Sequence, residues 1–310
     1  MFLAGRLLFL YAETALHVGS GSGLGGVDLP IQRERYTGFP LIQASGLKGA
    51  LRSEVTAGKD SEKNAIFGPE DADYAGAVSP GDARLLLFPV RSLAGVFAWV
   101  TSFDVIARFQ RDATALGMTD LPILPNSEPH ADHAYVSGSA IVTGDAVVLE
   151  EFAFTVIREE ATSSATRKLA EWLATNALPT SDEYKYWREK MRTNLVILPN
   201  DAYRDFTLHA TEVITRVRLE NETKTVAPGA LWTQELLPPE SVLYATVNAT
   251  RLRMNSDKKP STLANSDGKI EAENILQWMS KAEHIPHRFQ VGGDETVGRG
   301  LVRIRWKGGA

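Results

Sequence analysis

A glycine-rich stretch that ends in proline constrains this chain more than any other feature. Leu16-His17-Val18-Gly19-Ser20-Gly21-Ser22-Gly23-Leu24-Gly25-Gly26-Val27-Asp28-Leu29-Pro30 contains a formal G-x-G-x-x-G at Gly21, Gly23 and Gly26. In a dinucleotide-binding fold that pattern opens a helix at once. Here Pro30 pushes Leu29 into an extended conformation, so no helix starts there. No Gly-Lys-Ser/Thr is present either, which excludes a P-loop. What remains is a flexible loop whose backbone can approach a ligand closely, with Asp28 held by the stiff residue two positions on. The same residues also suit a plain surface loop with an ordinary carboxylate.

The rest of the chain alternates strand-like and helix-like segments irregularly. Residues 1–16 read as a strand, with Leu7, Phe9 and Tyr11 buried. A helix begins near Ser45, where Ser-Gly supplies an N-cap, and continues through Leu47, Ala50, Leu51 and Val55. Residues 59–82 read as an acidic loop, 84–93 as a buried strand and 103–116 as a helix. Residues 117–140 look like a loop insertion, and 160–200 like a helical one. Residues 212–219 are β-rich. Asn221–Pro239 reads as an extended hairpin turning at Pro228-Gly229, residues 254–268 as a polar flexible segment, and 301–306 as a final strand. This order predicts α+β with a largely antiparallel sheet.

With 310 residues and 44% hydrophobic content, the chain can bury a sizeable core. Its cysteine count is zero, which excludes disulfides, thiolate metal sites and a cysteine nucleophile. No apolar stretch approaches the roughly 20 residues that span a bilayer, and the apolar run at Leu7–Ala12 is too short for a signal-peptide core. The expectation is a cytoplasmic protein with no membrane partner. Net charge is −5, which argues mildly against nucleic acid. The charge is uneven, however. Lys281, Arg288, Arg299, Arg303, Arg305 and Lys307 outnumber Glu283, Asp294 and Glu295 at the C-terminal end, while 60–82 is almost purely acidic. Separate faces of opposite sign can grip a polyanion on one side only.

Two further motifs carry candidate chemistry. In Gln43-Ala44-Ser45-Gly46-Leu47-Lys48-Gly49-Ala50-Leu51-Arg52, Lys48 and Arg52 share a helical face near the helix N-terminus. Free N–H groups, the helix dipole and two cations there make a phosphate site; an amphipathic helix with a solvated edge has the same pattern. Phe289-Gln290-Val291-Gly292-Gly293-Asp294-Glu295-Thr296-Val297-Gly298-Arg299-Gly300 again implies close backbone approach, or a hairpin turn of small residues. His130 and His133, and His284 and His287, lack the surroundings of metal ligands. Asp28 and His17 are the best general acid–base candidates.

These blocks, with Val27-Asp28-Leu29-Pro30-Ile31-Gln32-Arg33-Glu34, Ile66-Phe67-Gly68-Pro69 and Gly229-Ala230-Leu231-Trp232, resemble the RAMP superfamily of CRISPR systems. The match is closest to the backbone subunit of the Cmr (type III-B) effector complex. The resemblance implies a single RAMP domain, 1–310, with a modified RRM-like (ferredoxin-like) core, helical insertions and a β-hairpin thumb at about 220–240. It implies copies stacked head to tail along a CRISPR guide RNA, beside other Cmr subunits, with the thumb interrupting pairing between guide and target RNA. Cleavage of the target beside each interruption would depend on a divalent metal ion such as Mg or Mn, with ligands unassigned, and on Asp28. His17 would support it. Ser45, Gly46, Lys48, Arg52, Gly292, Gly293 and Arg299 would contact the guide. A non-catalytic guide-binding scaffold is the alternative, and a guide-processing nuclease using His17 is a third.

Overall fold

The computed structural model describes residues 2–23, 25–255 and 259–308. Leu24 of the glycine-rich stretch and 256–258 of the polar segment 254–268 lie outside the described residues. Strand β1 (Ala4–Ala12) is central. Leu7, Leu8, Phe9 and Leu10 are all fully buried, so both faces are covered, and the run is continuously apolar rather than alternating. After it come β2 (Leu41–Ile42), α1 (Ala44–Ser53), α2 (Asp60–Phe67), β3 (Val78–Pro80), β4 (Ala83–Ser92), β5 (Val96–Ser102) and α3 (Phe103–Ala115). The middle of the chain holds β6 (His133–Val136), β7 (Val142–Thr143), β8 (Ala146–Leu149), β9 (Phe152–Val156), α4 (Glu160–Asn176), α5 (Lys185–Asn194), β10 (Leu195–Leu198) and α6 (Asn200–His209). The last third holds β11 (Glu212–Leu219), β12 (Val226–Leu236), β13 (Val242–Ala249), α7 (Ala272–Met279), β14 (Arg288–Gln290) and β15 (Leu301–Gly308).

A 13-stranded sheet runs in the order β14-β15-β1-β13-β4-β5-β10-β6-β9-β8-β7, with β2 on β4 and β3 on β13. Its centre, β15-β1-β13-β4, is antiparallel throughout. α1 lies between β1 and β4 in the chain, and α7 lies between β13 and β15. α7 packs on β1 and β13 through Ile275, Leu276 and Met279, all fully buried. The mixed α+β class with a mainly antiparallel sheet matches the sequence reading. Among the described strands of the sheet, parallel pairing enters where β10 joins β5 and β6 joins β9.

Several elements differ from the sequence reading. The segment 59–82 contains α2 and β3: Ala65, Ile66 and Phe67 are buried under the acidic residues, and net charge hid that apolar face. The segment 117–140 ends in β6, and 160–200 ends in β10, a strand inside the main sheet. α1 starts at Ala44, near Ser45 as expected, but its N-cap is Gln43 rather than the Ser-Gly pair. The hairpin spans β11 and β12, so the β-rich segment 212–219 is its first arm. Its turn lies at 220–225, where Glu220 N–H donates to the Thr225 carbonyl and Lys224 takes φ 55°. Pro228 and Gly229 lie within β12 instead. Proline is tolerated there because this two-stranded ribbon is all edge.

The glycine-rich stretch is a hydrogen-bonded hairpin rather than a free loop. Gly19 bridges Ile31, Ser20 N–H donates to the Pro30 carbonyl at 3.0 Å, and Gly23 N–H donates to the Asp28 carbonyl at 2.8 Å.

Candidate functional site

The root of β12 gathers the chemistry. Its odd-numbered backbone groups face away from β11 and hold two other segments. Leu29 N–H donates to the Thr233 carbonyl at 3.0 Å, Glu235 N–H donates to the Leu29 carbonyl at 3.0 Å, and Leu16 and Leu237 exchange bonds of 2.9 Å. The strand therefore pins both ends of the glycine-rich hairpin, and Asp28 and His17 are held against one line.

Asp28 is exposed, yet its carboxylate is fixed. Oδ2 accepts from the Thr233 N–H at 2.7 Å and from the Thr233 hydroxyl at 2.9 Å, while Asp28 N–H donates back to that hydroxyl oxygen at 2.9 Å. The Thr233 backbone N–H, then its hydroxyl, hold the Asp28 carboxyl below the usual aspartate range. Oδ1 has no partner among the described residues.

His17 Nδ1 lies 2.8 Å from the Glu235 carbonyl. A carbonyl only accepts, so Nδ1 carries the proton and a neutral ring presents its lone pair at Nε2. Gly19 and Gly293 flank that ring: a side chain at 19 would begin 2.9 Å from Nε2, and one at 293 would begin 3.6 Å from the ring. Gly292 lies against the His17 carbonyl, with φ +89° and only 2.5 Å of room for a Cβ. Glycine is required there for a steric and a conformational reason together.

The sequence reading gave two anchors here no role: Glu235, and Asp294 within the last glycine-rich motif. Glu235, buried among them, accepts from Arg33 at 2.5 Å, from the Thr211 hydroxyl at 2.8 Å and from the Ile31 N–H at 3.0 Å. Asp294, at φ 65°, accepts from Arg216 at 2.8 Å and from Gln234 at 2.5 Å. Burial pushes the Asp294 carboxyl up, but those two hydrogen bonds and the positive charge of Arg216 outweigh it, leaving it below the usual range. Glu235 lies next to the Trp232 block, but nothing in its neighbours' identities marks it as buried. Thr233 carried no signal at all.

The other expected contacts fall on α1 and the last loop. Ser45, Gly46 and Gly49 are exposed on α1. The Ala44 N–H at its start is taken by Asp82 at 2.7 Å. Lys48 is half-buried; burial first, then the charges of Arg52 and Arg253, push its ammonium pKa down. Arg253, which the sequence reading passed over, thus completes a cationic cluster. Arg52 is largely committed to structure, donating to the Gly68 carbonyl and to Asn64. At the end of α1, burial first and then the charge of Glu295 push the Glu54 pKa up. Arg299 N–H donates to the Asp294 carbonyl at 3.2 Å, which fixes the loop's return.

The described residues bring together no group of three His, Asp or Glu side chains able to hold a metal ion. Asp28 can supply one oxygen ligand to a divalent cation. That number fits Mg, which commonly uses one or two carboxylates and takes the rest from water and phosphates. No helix among the described residues is long and apolar enough to cross a membrane.

Glycine-lined backbone, a fixed exposed carboxylate and an imidazole thus meet at the root of the two-stranded hairpin. The chain belongs to the RAMP superfamily, whose family model matches residues 9–303. It is 36% identical over 312 residues to the "CRISPR system Cmr endoribonuclease Cmr4" of Pyrococcus furiosus, covering 97% of this chain and 95% of that protein. The crystal structure of oligomeric Cmr4 from the same organism superposes with a TM-score of 0.68 at 29% identity, covering 98% of each chain. A subunit of a type III-B Cmr-beta complex bound to cognate target RNA shares the fold, with a TM-score of 0.71, 20% identity and 98% coverage of both.

Proposed function

We propose that this chain is a repeating guide-RNA-binding subunit of a type III-B CRISPR effector and that it cleaves the paired target RNA at Asp28. The observation that carries this is the Asp28 carboxylate, exposed and held by Thr233 at the root of the hairpin. Likeness to a Cmr endoribonuclease along nearly the whole chain supports it. The antiparallel order β15-β1-β13-β4, with α1 and α7 as the two crossings, supports reading the centre as the RRM-like core. The hairpin β11–β12 serves as the thumb. Copies line up along the guide, beside other subunits of the complex.

The geometry suggests a division of labour. A carboxylate with a lowered pKa is a weak base near neutrality but keeps its charge. Asp28 therefore stays ionised and offers Oδ1 to a divalent ion. When bound, that ion would neutralise charge on the phosphoryl oxygens. His17 Nε2, bared by Gly19, takes the proton of the target's 2′-hydroxyl. The 2′-oxygen attacks its own phosphate, and the 5′-oxygen leaves with a proton from water. The products are a 2′,3′-cyclic phosphate and a 5′-hydroxyl. Splaying the nucleotide at the thumb lets the 2′-oxygen and phosphate align.

The test is a complex reconstituted with guide and end-labelled target, with and without EDTA. The expected result is an EDTA-sensitive ladder of evenly spaced products ending in cyclic phosphate. A target that stays intact in an assembled complex, or products ending in 3′-hydroxyl, would overturn the reading.

Thr233→Val removes the hydroxyl and leaves the backbone N–H. With one of its two fixing bonds gone, the Asp28 carboxylate is less well placed, and single-turnover cleavage at neutral pH is expected to fall roughly 10-fold with guide binding unchanged. Thr233→Ser restores the rate. A wild-type cleavage rate in Thr233→Val would remove the Thr233 hydroxyl from the positioning of Asp28.

A further inference from the structure

A second cationic feature contains none of the residues that hold Asp28 and His17. It is a cleft of about 710 Å³ lined by Arg6, Arg288, Arg303, Arg305, Ser181 and Ser280, among others. That volume suits a small molecule rather than a single ion. The cleft follows β15 past the point where β14 stops: the last paired residues are Arg288 and Arg303, and the Ile304 N–H donates to the His287 carbonyl at 2.8 Å. Arg288 and Arg303 are cross-strand partners, and Arg305 is two residues on, so all three side chains leave one face of the sheet. Like charges placed directly opposite each other destabilise a strand pair. Such a pair persists at a cost that a bound anion would remove.

The wall is short of negative charge. Among the described residues, no Asp or Glu lines the cleft. Three of its arginines pair with carboxylates outside it, Arg6 with Glu273, Arg288 with Glu13 and Arg303 with Glu183. These pairings fix the guanidinium groups without exhausting them. Arg288 donates to Glu13 through Nε at 2.5 Å, and its two Nη groups have no acceptor among the described residues. Arg303 donates to Glu183 through Nη2 at 2.9 Å and lies 5.5 Å over the centre of the Tyr184 ring. Arg305 has no carboxylate partner among the described residues; its Nη1 donates to the Leu178 carbonyl at 2.7 Å. Burial and then the charge of Arg188 push the Arg305 pKa down, the expected response to a missing counter-ion. Two more donors of lining residues, Arg6 Nε and Trp306 Nε1, are buried without an acceptor. The wall therefore lacks acceptors as well as anions.

Donors fixed in this way call for an occupant with many anionic oxygens in a short span. Guanidinium forks bind phosphate oxygens in pairs. A single-stranded nucleic acid needs a long groove and exposed rings on which its bases stack. The exposed aromatic side chains Phe2, Tyr36, Phe152 and Tyr186 all lie outside the cleft. From Arg303 to Trp306, both in the wall, the strand rises only about 10 Å. We propose that the arginine cleft beside the end of β15 binds a small polyphosphate anion, such as the triphosphate chain of a nucleotide. Arg288 and Arg303 grip one phosphate group, and Arg305 meets the next. The site does not depend on cleavage at Asp28.

The test is isothermal titration calorimetry of the full chain with inorganic triphosphate, ATP, adenosine and sulfate at matched ionic strength. Triphosphate and ATP are expected to bind, and adenosine and sulfate to bind about 100-fold more weakly or not at all. Arg288→Gln, at a side chain 53% exposed, and Arg305→Gln are each expected to weaken triphosphate binding roughly 10-fold, with guide-RNA binding unchanged. No binding of triphosphate, wild-type affinity in both variants, or sulfate binding as tightly as triphosphate would overturn the proposal. So would guide RNA that competes with triphosphate and binds Arg288→Gln less tightly, which would mark the cleft as an RNA surface. A chain that binds triphosphate but leaves target RNA intact keeps this site and loses the Asp28 reading.

Discussion

Asp28→Ala is expected to lower target-RNA cleavage by about 10²–10⁴-fold, the range for a group acting directly on a reacting centre, while guide binding and assembly persist. The reason lies in where the side chain sits. Asp28 is exposed, and among the described residues its carboxylate hydrogen-bonds only to Thr233. Truncation opens no cavity and strands no buried partner, since water reaches the freed Thr233 groups. The backbone links that fix the hairpin, Leu29 to Thr233 and Glu235, do not involve the side chain. Structure and catalysis should therefore separate cleanly. Asp28→Asn sharpens the test, because its amide oxygen still accepts from Thr233 while the charge is gone. Equal loss in both variants assigns the effect to charge. Measured by single-turnover cleavage of labelled target, a wild-type rate in Asp28→Ala would leave the chain as a guide-binding scaffold and move the chemistry to another subunit.

Much of this arrangement was legible in the sequence, for identifiable reasons. Pro30 after the glycines ruled out a helix, and the structure has none there. The apolar runs at 7–12 and 85–90 became the strands β1 and β4, because continuous hydrophobicity over that length suits strands covered on both faces. What failed was long-range. The hairpin turn was misplaced because Pro228-Gly229 is a strong turn signal, whereas the real turn, at 220–225, uses Lys224 at positive φ and carries no glycine. The acidic segment 59–82 concealed α2 because charge on one helix face says nothing of Ile66 and Phe67 on the other. The site partners were hidden for the same reason. Thr233 lies 205 positions from Asp28, and Glu235 lies 202 from Arg33. Local pattern carries no information on such pairings; the strand register creates them. Arg33 and Glu34 illustrate the converse. Their motif marks the family, yet both are spent on structure, Arg33 on Glu235 and Glu34 on Arg108 and Arg84.

Glu235→Ala is expected to be the most destabilising single change at the site, by roughly 3–5 kcal/mol, the cost of removing one partner of a buried ion pair. The Glu235 side chain is 8% exposed and that of Arg33 is 19%. Alanine leaves the guanidinium bonded to the carbonyls of Gly38 and Thr207, which satisfy its donors but not its charge. It also orphans the Ile31 N–H, on a residue only 5% exposed. Replacing both partners, as in Glu235→Leu with Arg33→Met, removes charge and counter-charge together. The double variant is expected to regain part of the loss, so the two single costs will not add. Urea unfolding followed by tryptophan fluorescence checks this, and a Glu235→Ala cost below about 1 kcal/mol would show that the pair is solvated rather than buried. The functional consequence follows from position. Glu235 stands between Thr233, which holds Asp28, and Leu237, which pairs with Leu16, and its own carbonyl fixes His17. Loosening this carboxylate frees the Ile31 side of the hairpin while leaving α1 and its cations untouched. Glu235→Gln, which keeps shape and one acceptor, is therefore expected to slow cleavage more than it weakens guide binding, because the strand that sets the geometry of Asp28 and His17 is also the strand that the ion pair holds in register.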